Sequence, residues 1–172
     1  IIDLYSRGGF QVGTVLMDNE FECLQNLVPI IVVNTSAANK HVPEIERRIR
    51  LIKERGRGYL NILPFKKIPQ LMLVELIYHV VLRLNAFPMK SGVSATLSPR
   101  EIVFRRKMDY AKHCKALFGS YVLTHEEPNP TNSMMARGSP GIILGPTGNE
   151  QGMYKVMNLA KNAHARLRYR AG

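Results

Sequence analysis

Two short apolar runs place the strongest constraint on how this chain can fold. Residues 10–17 have the sequence FQVGTVLM and residues 29–33 have the sequence PIIVV, and each run ends at turn-forming polar residues. Continuous apolar, β-branched runs of this length are typical of strands buried on both faces. A short helix is predicted between them, over residues 20–27. Buried strands that alternate with helices indicate an α/β fold, with helices packed on a parallel or mixed sheet.

The stretch after the second strand, residues 43–60, predicts an amphipathic helix. Its sequence is PEIERRIRLIKERGRGYL, in which Ile45, Ile49 and Ile52 recur at steps of four and three. That spacing aligns the three side chains in one apolar stripe. Proline suits the first helical position, and the early glutamates suit the positive end of the helix dipole. We expect this isoleucine stripe to face the sheet.

A charged row accompanies the isoleucine stripe at the same helical spacing. Its members are one carboxylate followed by three cations: Glu46, Arg50, Lys53 and Arg57. One interpretation is a solvated helix surface, stabilised by i,i+4 pairs such as Glu46–Arg50 that contribute a few tenths of a kcal/mol each. The other is a surface that binds a polyanion, and the distribution of charge along the chain favours it.

The net charge of +11 is unevenly distributed. Residues 1–39 carry a net charge of −3. Three later blocks are basic: residues 40–67 (+6), residues 100–115 (+4) and residues 155–170 (+5). An acidic front followed by basic blocks predicts a surface that binds DNA or RNA. A generally basic protein without such a partner is the alternative.

Several other classes of function are not favoured. The chain has no run of about 18 uncharged apolar residues, so we expect no membrane insertion. Cys23 and Cys114 show no zinc-ligand spacing, which predicts no zinc site and an intracellular location, nuclear or cytoplasmic. His79 lies in an apolar helix and is interpreted as a core histidine. Core packing is favoured over base stacking for three tyrosines near basic residues: Tyr121, Tyr154 and Tyr169.

The second half of the chain changes in character. Residues 68–87 are apolar on nearly every side, which predicts a central helix. Ser98, followed by proline and then Glu101, predicts the start of a short basic helix that ends near residue 108. Later apolar runs are short and separated by Gly, Pro and Asn, which predicts a small antiparallel, β-barrel-like module with a basic tail. We therefore expect two domains, over residues 1–115 and 116–172.

Two carboxylates occupy positions from which they could act together. Asp18 follows the first predicted strand directly, and Glu46 lies on the amphipathic helix expected to pack on the same sheet. With a third carboxylate, such a pair could hold two divalent metals and clamp the attacking and leaving oxygens of a phosphodiester. The cations beside Glu46 would then lie along a DNA backbone.

Four segments, taken in order, resemble the integrase catalytic core of copia-type retrotransposons: MDNEFECL, VPEIERRIRLIKERGRGYL, LPFKKIPQLMLVELIYHVVLRLNAFP and TLSPREI. The following tract, from FGSYVLTH to GMYKVMNL, is similar to the small β-module after that core. The resemblance spans about residues 3–160. It implies a partial RNase H-like fold of the D,D-35-E type, DNA as the partner, and Mg²⁺ or Mn²⁺ as the cofactor. The resemblance does not decide whether the chain forms a homo-oligomer.

The family's acidic motif can be carried over residue by residue. Asp18 matches the second acid and Glu46 the third, because Arg47 follows Glu46 as in the family's Glu-Arg pair; Glu44 is the second choice. The resemblance makes Asp18 and Glu46 the catalytic and metal-binding residues. DNA binding is assigned to four cations on the same helix: Arg47, Arg50, Lys53 and Arg57.

The chain departs from the family in three respects, one of which is that the family's N-terminal zinc-binding His/Cys module has no counterpart in this sequence. The first acid has no counterpart before Asp18, since Asp3 is expected on a preceding helix or turn. Only 27 residues separate Asp18 from Glu46, fewer than the D,D-35-E spacing requires. We therefore expect a DNA-binding protein with the ancestry of DNA integration but no strand transfer by this chain alone. The alternatives are a non-catalytic basic DNA- or RNA-binding module, and a gene fragment that does not fold.

Overall fold

The chain combines helices with two separate sheets. A computed structural model describes residues 2–17, 23–24, 26, 31–35, 43–90, 92–125, 134, 137–149, 151–159 and 164–167. Within these residues one sheet has two parallel strands and the other has four antiparallel strands. The predicted α/β class with a small antiparallel module is confirmed at that level.

The elements follow one another along the chain with these bounds: α1 (Ile2–Arg7), β1 (Thr14–Met17), β2 (Val32–Thr35), α2 (Pro43–Ile62), α3 (Gln70–Ala86), α4 (Pro99–Phe104), α5 (Tyr110–His113), β3 (Tyr121–His125), β4 (Gly138–Pro146), β5 (Tyr154–Asn158) and β6 (His164–Leu167). Both long helices and both early strands were predicted, and Asp3 lies on a helix as expected. The short helix predicted over residues 20–27 lies mostly outside the described residues.

Contacts divide the chain into two compact units. Unit 1 comprises Ile1–Glu54 and Phe87–Lys107, and unit 2 comprises Arg55–Ala86 and Met108–Gly172. The predicted domain boundary at residue 115 falls inside unit 2. That boundary stays a prediction.

The parallel sheet belongs to unit 1. Its register runs from Thr14 opposite Val32 to Met17 opposite Thr35. The two strands pair in parallel, as the alternation of strands and helices along the sequence predicts. The expectation that both strands are completely buried is wrong. Leu16 is 51% exposed and Val32 is 65% exposed. A sheet of two four-residue strands offers too little surface for helices to cover both faces.

Helix α4 is defined at both ends by its own sequence. The Ser98 hydroxyl accepts a hydrogen bond from the Glu101 N–H, and the Glu101 carboxylate accepts one from the Ser98 N–H. These reciprocal bonds satisfy two donors that a helix start leaves unpaired. The helix ends before the predicted residue 108, because Arg105 adopts a left-handed conformation (φ 57°) and donates its N–H to the Glu101 carbonyl.

Arg105 also connects α4 to the turn after α1 within unit 1. Its guanidinium donates to the Gly8 carbonyl at 3.3 Å and lies 5.7 Å from the centre of the Phe10 ring. The backbones approach closely here, since a Cβ added to Gly8 would come within 2.5 Å of the Val103 carbonyl oxygen. Glycine is therefore required at position 8 for the packing of unit 1.

Unit 2 is built by packing α3 against the antiparallel sheet, whose strand order is β3-β4-β5-β6. Helix α3 buries Met72, Leu76 and Val80 almost completely. Its opposite side is exposed, with Val74 at 42% and Ile77 at 50%. The expectation of a helix buried all round is therefore wrong for the described residues. One face is buried because a single sheet covers only one side of a helix.

Two polar contacts position the sheet within unit 2. The Tyr154 hydroxyl is buried, donates to the Lys112 carbonyl at 3.1 Å and accepts from the Lys115 N–H at 3.0 Å. The Lys155 ammonium donates to both carboxylate oxygens of Glu75, at 2.9 and 2.8 Å. The Lys155 and Glu75 side chains are 29% and 12% exposed, so this ion pair between β5 and α3 is largely shielded from water.

We predict that Lys155→Met destabilises the chain by about 2–3 kcal/mol, because it removes the ammonium group that bonds both oxygens of the Glu75 carboxylate in a shielded site. The measurement is the free energy of unfolding from denaturant titration. The matched control is Lys112→Met, which removes a cation from the exposed pair with Asp109 at 3.4 Å and should change stability little. A double variant, Glu75→Leu with Lys155→Leu, should recover much of the loss. Equal effects of the two methionine substitutions would contradict this account.

Candidate nucleic-acid interface

Helix α2 carries the candidate site. Its 20 residues extend for about 30 Å, and the side chains of residues 44–50 are all exposed. The helix contains six cations, which disfavour burial because each would lose its hydration. A long exposed helix of this charge is an accessible surface for a polyanion.

The four cations predicted to bind DNA are all exposed on this helix: Arg47, Arg50, Lys53 and Arg57. Within the part of the chain that the structure describes, none of the four forms an ion pair with a carboxylate. Among the ion pairs between described residues, the i,i+4 pair Glu46–Arg50 that a purely solvated helix would favour does not occur. These cations remain available to an external anion.

The isoleucine stripe was expected to pack on the sheet, and that expectation is wrong. Ile45 and Ile49 are each 46% exposed, and only Ile52 is half-buried. Periodicity identifies which side of a helix is apolar, but it does not supply a partner for that side. The two-stranded sheet is too small to cover the first turns of α2.

The predicted acidic pair is placed only in part. Glu46 is exposed in the first turn of α2, and Asp18 lies outside the described residues. Among the residues described, no three His, Cys, Asp or Glu side chains come together in a group that could hold a metal ion. The geometry of the predicted metal site therefore stays a prediction.

Sequence reasoning missed Arg48. This residue is neither in the isoleucine stripe nor in the charged row, yet its guanidinium reaches Met89 and donates to the thioether sulfur at 3.0 Å. The contact spans 41 positions in sequence, and no local pattern signals it. Arg48 lines a cavity in unit 1 together with apolar side chains.

His79 is a core residue, as predicted from its apolar helix. It is 3% exposed, its Nε2 lies 3.2 Å from the Tyr59 hydroxyl, and its ring also packs beside Phe118. Burial, with a smaller contribution from the positive charge of Arg83, lowers the pKa of His79 to about 4. Its Nδ1 has no hydrogen-bond partner among the described residues. A neutral ring in this position packs in the core of unit 2 and is unsuited to binding an anion.

The tyrosines divide into two kinds. Tyr154 is fully buried, which agrees with the prediction of core packing, whereas Tyr121 is 64% exposed on β3. Core packing was therefore a wrong expectation for Tyr121. Tyr169 lies outside the described residues. Desolvation raises the pKa of the Tyr154 hydroxyl, which keeps it protonated as a hydrogen-bond donor.

Compared with known proteins, the chain matches no protein-family model and no curated protein. Among the helices that the structure describes, none has the combined length and apolar character needed to cross a bilayer.

We predict that stability falls by about 2 kcal/mol between pH 7 and pH 5 through His79 alone. The unfolded state takes up a proton near pH 6.5, whereas the folded state resists protonation until about pH 4, so acid favours unfolding across that window. His79→Gln should remove this dependence, because glutamine retains a polar partner for Tyr59 without titrating. Unfolding titrations of both proteins at the two pH values provide the measurement. Parallel pH profiles would show that His79 is not responsible.

We predict that Gly58→Ala stabilises α2 by about 0.5–1 kcal/mol, because an added Cβ meets nothing within 4 Å and alanine loses less backbone entropy than glycine. Gly119→Ala is the contrasting variant. Gly119 has φ +84°, and a Cβ added there would collide with Leu63. The Gly119→Ala variant should therefore be less stable than the unmodified chain. Thermal unfolding measures both. Destabilisation by Gly58→Ala would show that this side of α2 is covered.

Proposed function

We propose that this chain binds nucleic acid through the exposed basic surface of α2, and that it is a partial relative of the RNase H-like integrase core of copia-type retrotransposons. The observation that carries the binding proposal is the set of exposed cations on one helix, none of them paired with a carboxylate in the described part of the chain. The ordered motifs and the three basic blocks of the sequence support the proposed ancestry.

The spacing of these cations suits a phosphate backbone. Arg50 and Arg57 lie seven residues apart, about 10 Å along the helix axis. Phosphates of one DNA strand advance by about 3.4 Å along the duplex axis, so an α2 lying parallel to that axis would span about three phosphate steps between the two arginines. Lys53 lies between the two arginines on the same side of α2. The contacts proposed are to phosphates, which position a protein on DNA without reading its sequence.

We derive no catalytic step from the described residues. If the chain follows the family that it resembles, Asp18 and Glu46 would hold Mg²⁺ or Mn²⁺, and the metal would polarise a phosphodiester. The described part of the chain supplies only Glu46 from that set and does not assemble three acidic ligands. Two carboxylates without a third do not make a two-metal clamp. DNA integration enters the proposal as ancestry, and binding is the proposed function.

The runner-up is a non-catalytic DNA- or RNA-binding module without integrase ancestry. The exposure of Ile45 and Ile49 favours it, because the pairing of Asp18 with Glu46 was expected from a helix that packs on the sheet, and these side chains do not pack there. Both proposals place nucleic acid on α2. They differ in the part that Asp18 and Glu46 play.

We predict that duplex DNA binds with a steep salt dependence, and that Arg50→Gln with Lys53→Gln lowers the slope of log K against log salt by about 2, since each lost phosphate contact removes about 0.9. The measurement is fluorescence anisotropy of a labelled duplex over a series of salt concentrations.

The matched control for that pair is Lys66→Gln with Lys67→Gln. It removes the same charge from two exposed residues after α2 and should change the slope less. Equal slopes for both double variants would mean that net charge, and not the surface of α2, governs binding. Absence of binding at low salt would refute both nucleic-acid proposals.

We predict no Mg²⁺-dependent cleavage or joining of DNA ends by this chain, because Asp18 and Glu46 alone do not make a two-metal clamp. A gel assay with a labelled duplex end and added Mg²⁺ or Mn²⁺ measures it. Cleavage that disappears in both Asp18→Asn and Glu46→Gln would overturn the prediction. The same two substitutions should leave DNA binding intact.

A further inference from the structure

We propose that unit 1 contains a binding site for a small amphipathic carboxylate, such as a medium-chain fatty acid, with Arg48 as the group that binds its carboxylate. The site is a cavity of about 270 Å³ formed by residues of unit 1 alone. It is separate from the charged row of α2, and it does not depend on the proposed nucleic-acid binding.

Aromatic side chains form one wall of the cavity. Tyr5 and Phe10 pack edge to face, with ring centres 6.3 Å apart and planes at 81°. The cation–π contact of Arg105 with Phe10 helps to fix the position of that ring. Rigid aromatic walls of this kind provide apolar contact area at a small cost in conformational entropy.

The opposite walls come from α4 and from the loop before it. Ile102 and Val103 project from α4, and the capping box at Ser98 fixes the start of that helix. The described residues of that loop, 89–90 and 92–97, are held by hydrogen bonds among themselves. The Ser94 hydroxyl accepts from the Leu97 N–H at 3.0 Å, and the Gly92 N–H donates to the Met89 carbonyl at 2.9 Å. The cavity is therefore formed before any ligand binds.

Arg48 is the charged group of this cavity, and its hydrogen bonding is incomplete. Its described partner is the Met89 thioether, a weak acceptor, whereas a guanidinium offers five N–H donors in a planar fork. A carboxylate matches that fork and accepts two parallel hydrogen bonds. The other lining side chains are apolar, apart from the hydroxyl groups of Tyr5 and Ser94. A ligand with one anionic end and an apolar body satisfies both parts of the site.

A second cavity shares Phe10, Leu97 and Ile102 with the first but is less suited to an anion. It contains Glu101, and hydrogen bonds from Ser98 lower the pKa of that carboxyl group, which keeps it negatively charged. An anionic ligand would be repelled there. The cavity beside Arg48 has no carboxylate among its lining residues.

The test is calorimetric titration of the full chain with octanoate, and with octanamide as an uncharged ligand of the same shape. We expect octanoate to bind at least tenfold more tightly than octanamide, because a charge-assisted pair is lost in the amide. Arg48→Met should weaken octanoate binding by about tenfold and leave octanamide binding unchanged.

The control is Arg55→Met, which removes the same charge from an exposed position on α2 that does not line the cavity. It should bind octanoate as the unmodified chain does. Far-UV circular dichroism establishes that both variants fold. No binding of octanoate, equal binding of octanoate and octanamide, or equal loss in both variants would overturn the proposal.

Discussion

The cost of removing arginine and lysine side chains from water governs the arrangement of this chain. Helix α2 carries six cations in 20 residues, and burying them without acidic partners would cost far more free energy than its isoleucines could return. The helix therefore stays hydrated, and Ile45 and Ile49 remain half exposed with it. The same hydration leaves a basic surface open to phosphate groups, which is the basis of the proposed function.

Since α2 cannot serve as a core helix along its whole length, burial depends on α3. That helix contributes Met72, Leu76 and Val80 to the interior of unit 2, and the ion pair between Glu75 and Lys155 joins it to β5. Two of the polar groups that enter this interior are uncharged, whereas the Arg83 guanidinium enters it in part, with an Nε that is buried without a partner among the described residues. His79 is neutral because burial depresses its pKa, and the Tyr154 hydroxyl bonds to backbone groups. The interior of unit 2 is thus uncharged at His79 and Tyr154, while α2 presents charge to solvent.

Local features of the fold were predictable from sequence, and long-range ones were not. Ser98 and Glu101 predict the start of α4 because a capping box involves residues only three apart. The end of that helix was not predicted, since nothing at Arg105 signals a left-handed conformation in a non-glycine residue. The bonds of Arg48 to Met89 and of Lys155 to Glu75 join residues 41 and 80 positions apart, which no periodicity reveals. At the candidate site, the spacing of Arg50, Lys53 and Arg57 predicted three cations on one side of a helix, and all three are exposed on α2. Their binding to DNA stays a prediction. The spacing could not show whether the neighbouring isoleucines have a partner.

The central claim is that the arginines of α2 contact phosphate, and side-chain NMR tests it most directly. Arginine Nε–Hε signals can be followed individually while a short duplex is added to the labelled chain at low salt. The account predicts that the signals of Arg50 and Arg57 shift progressively with added duplex. The signal of Arg83, which lies in unit 2 and donates to the Cys114 sulfur at 2.8 Å, should stay in place. Binding that shifts other arginine signals while those of Arg50 and Arg57 remain fixed would contradict the account.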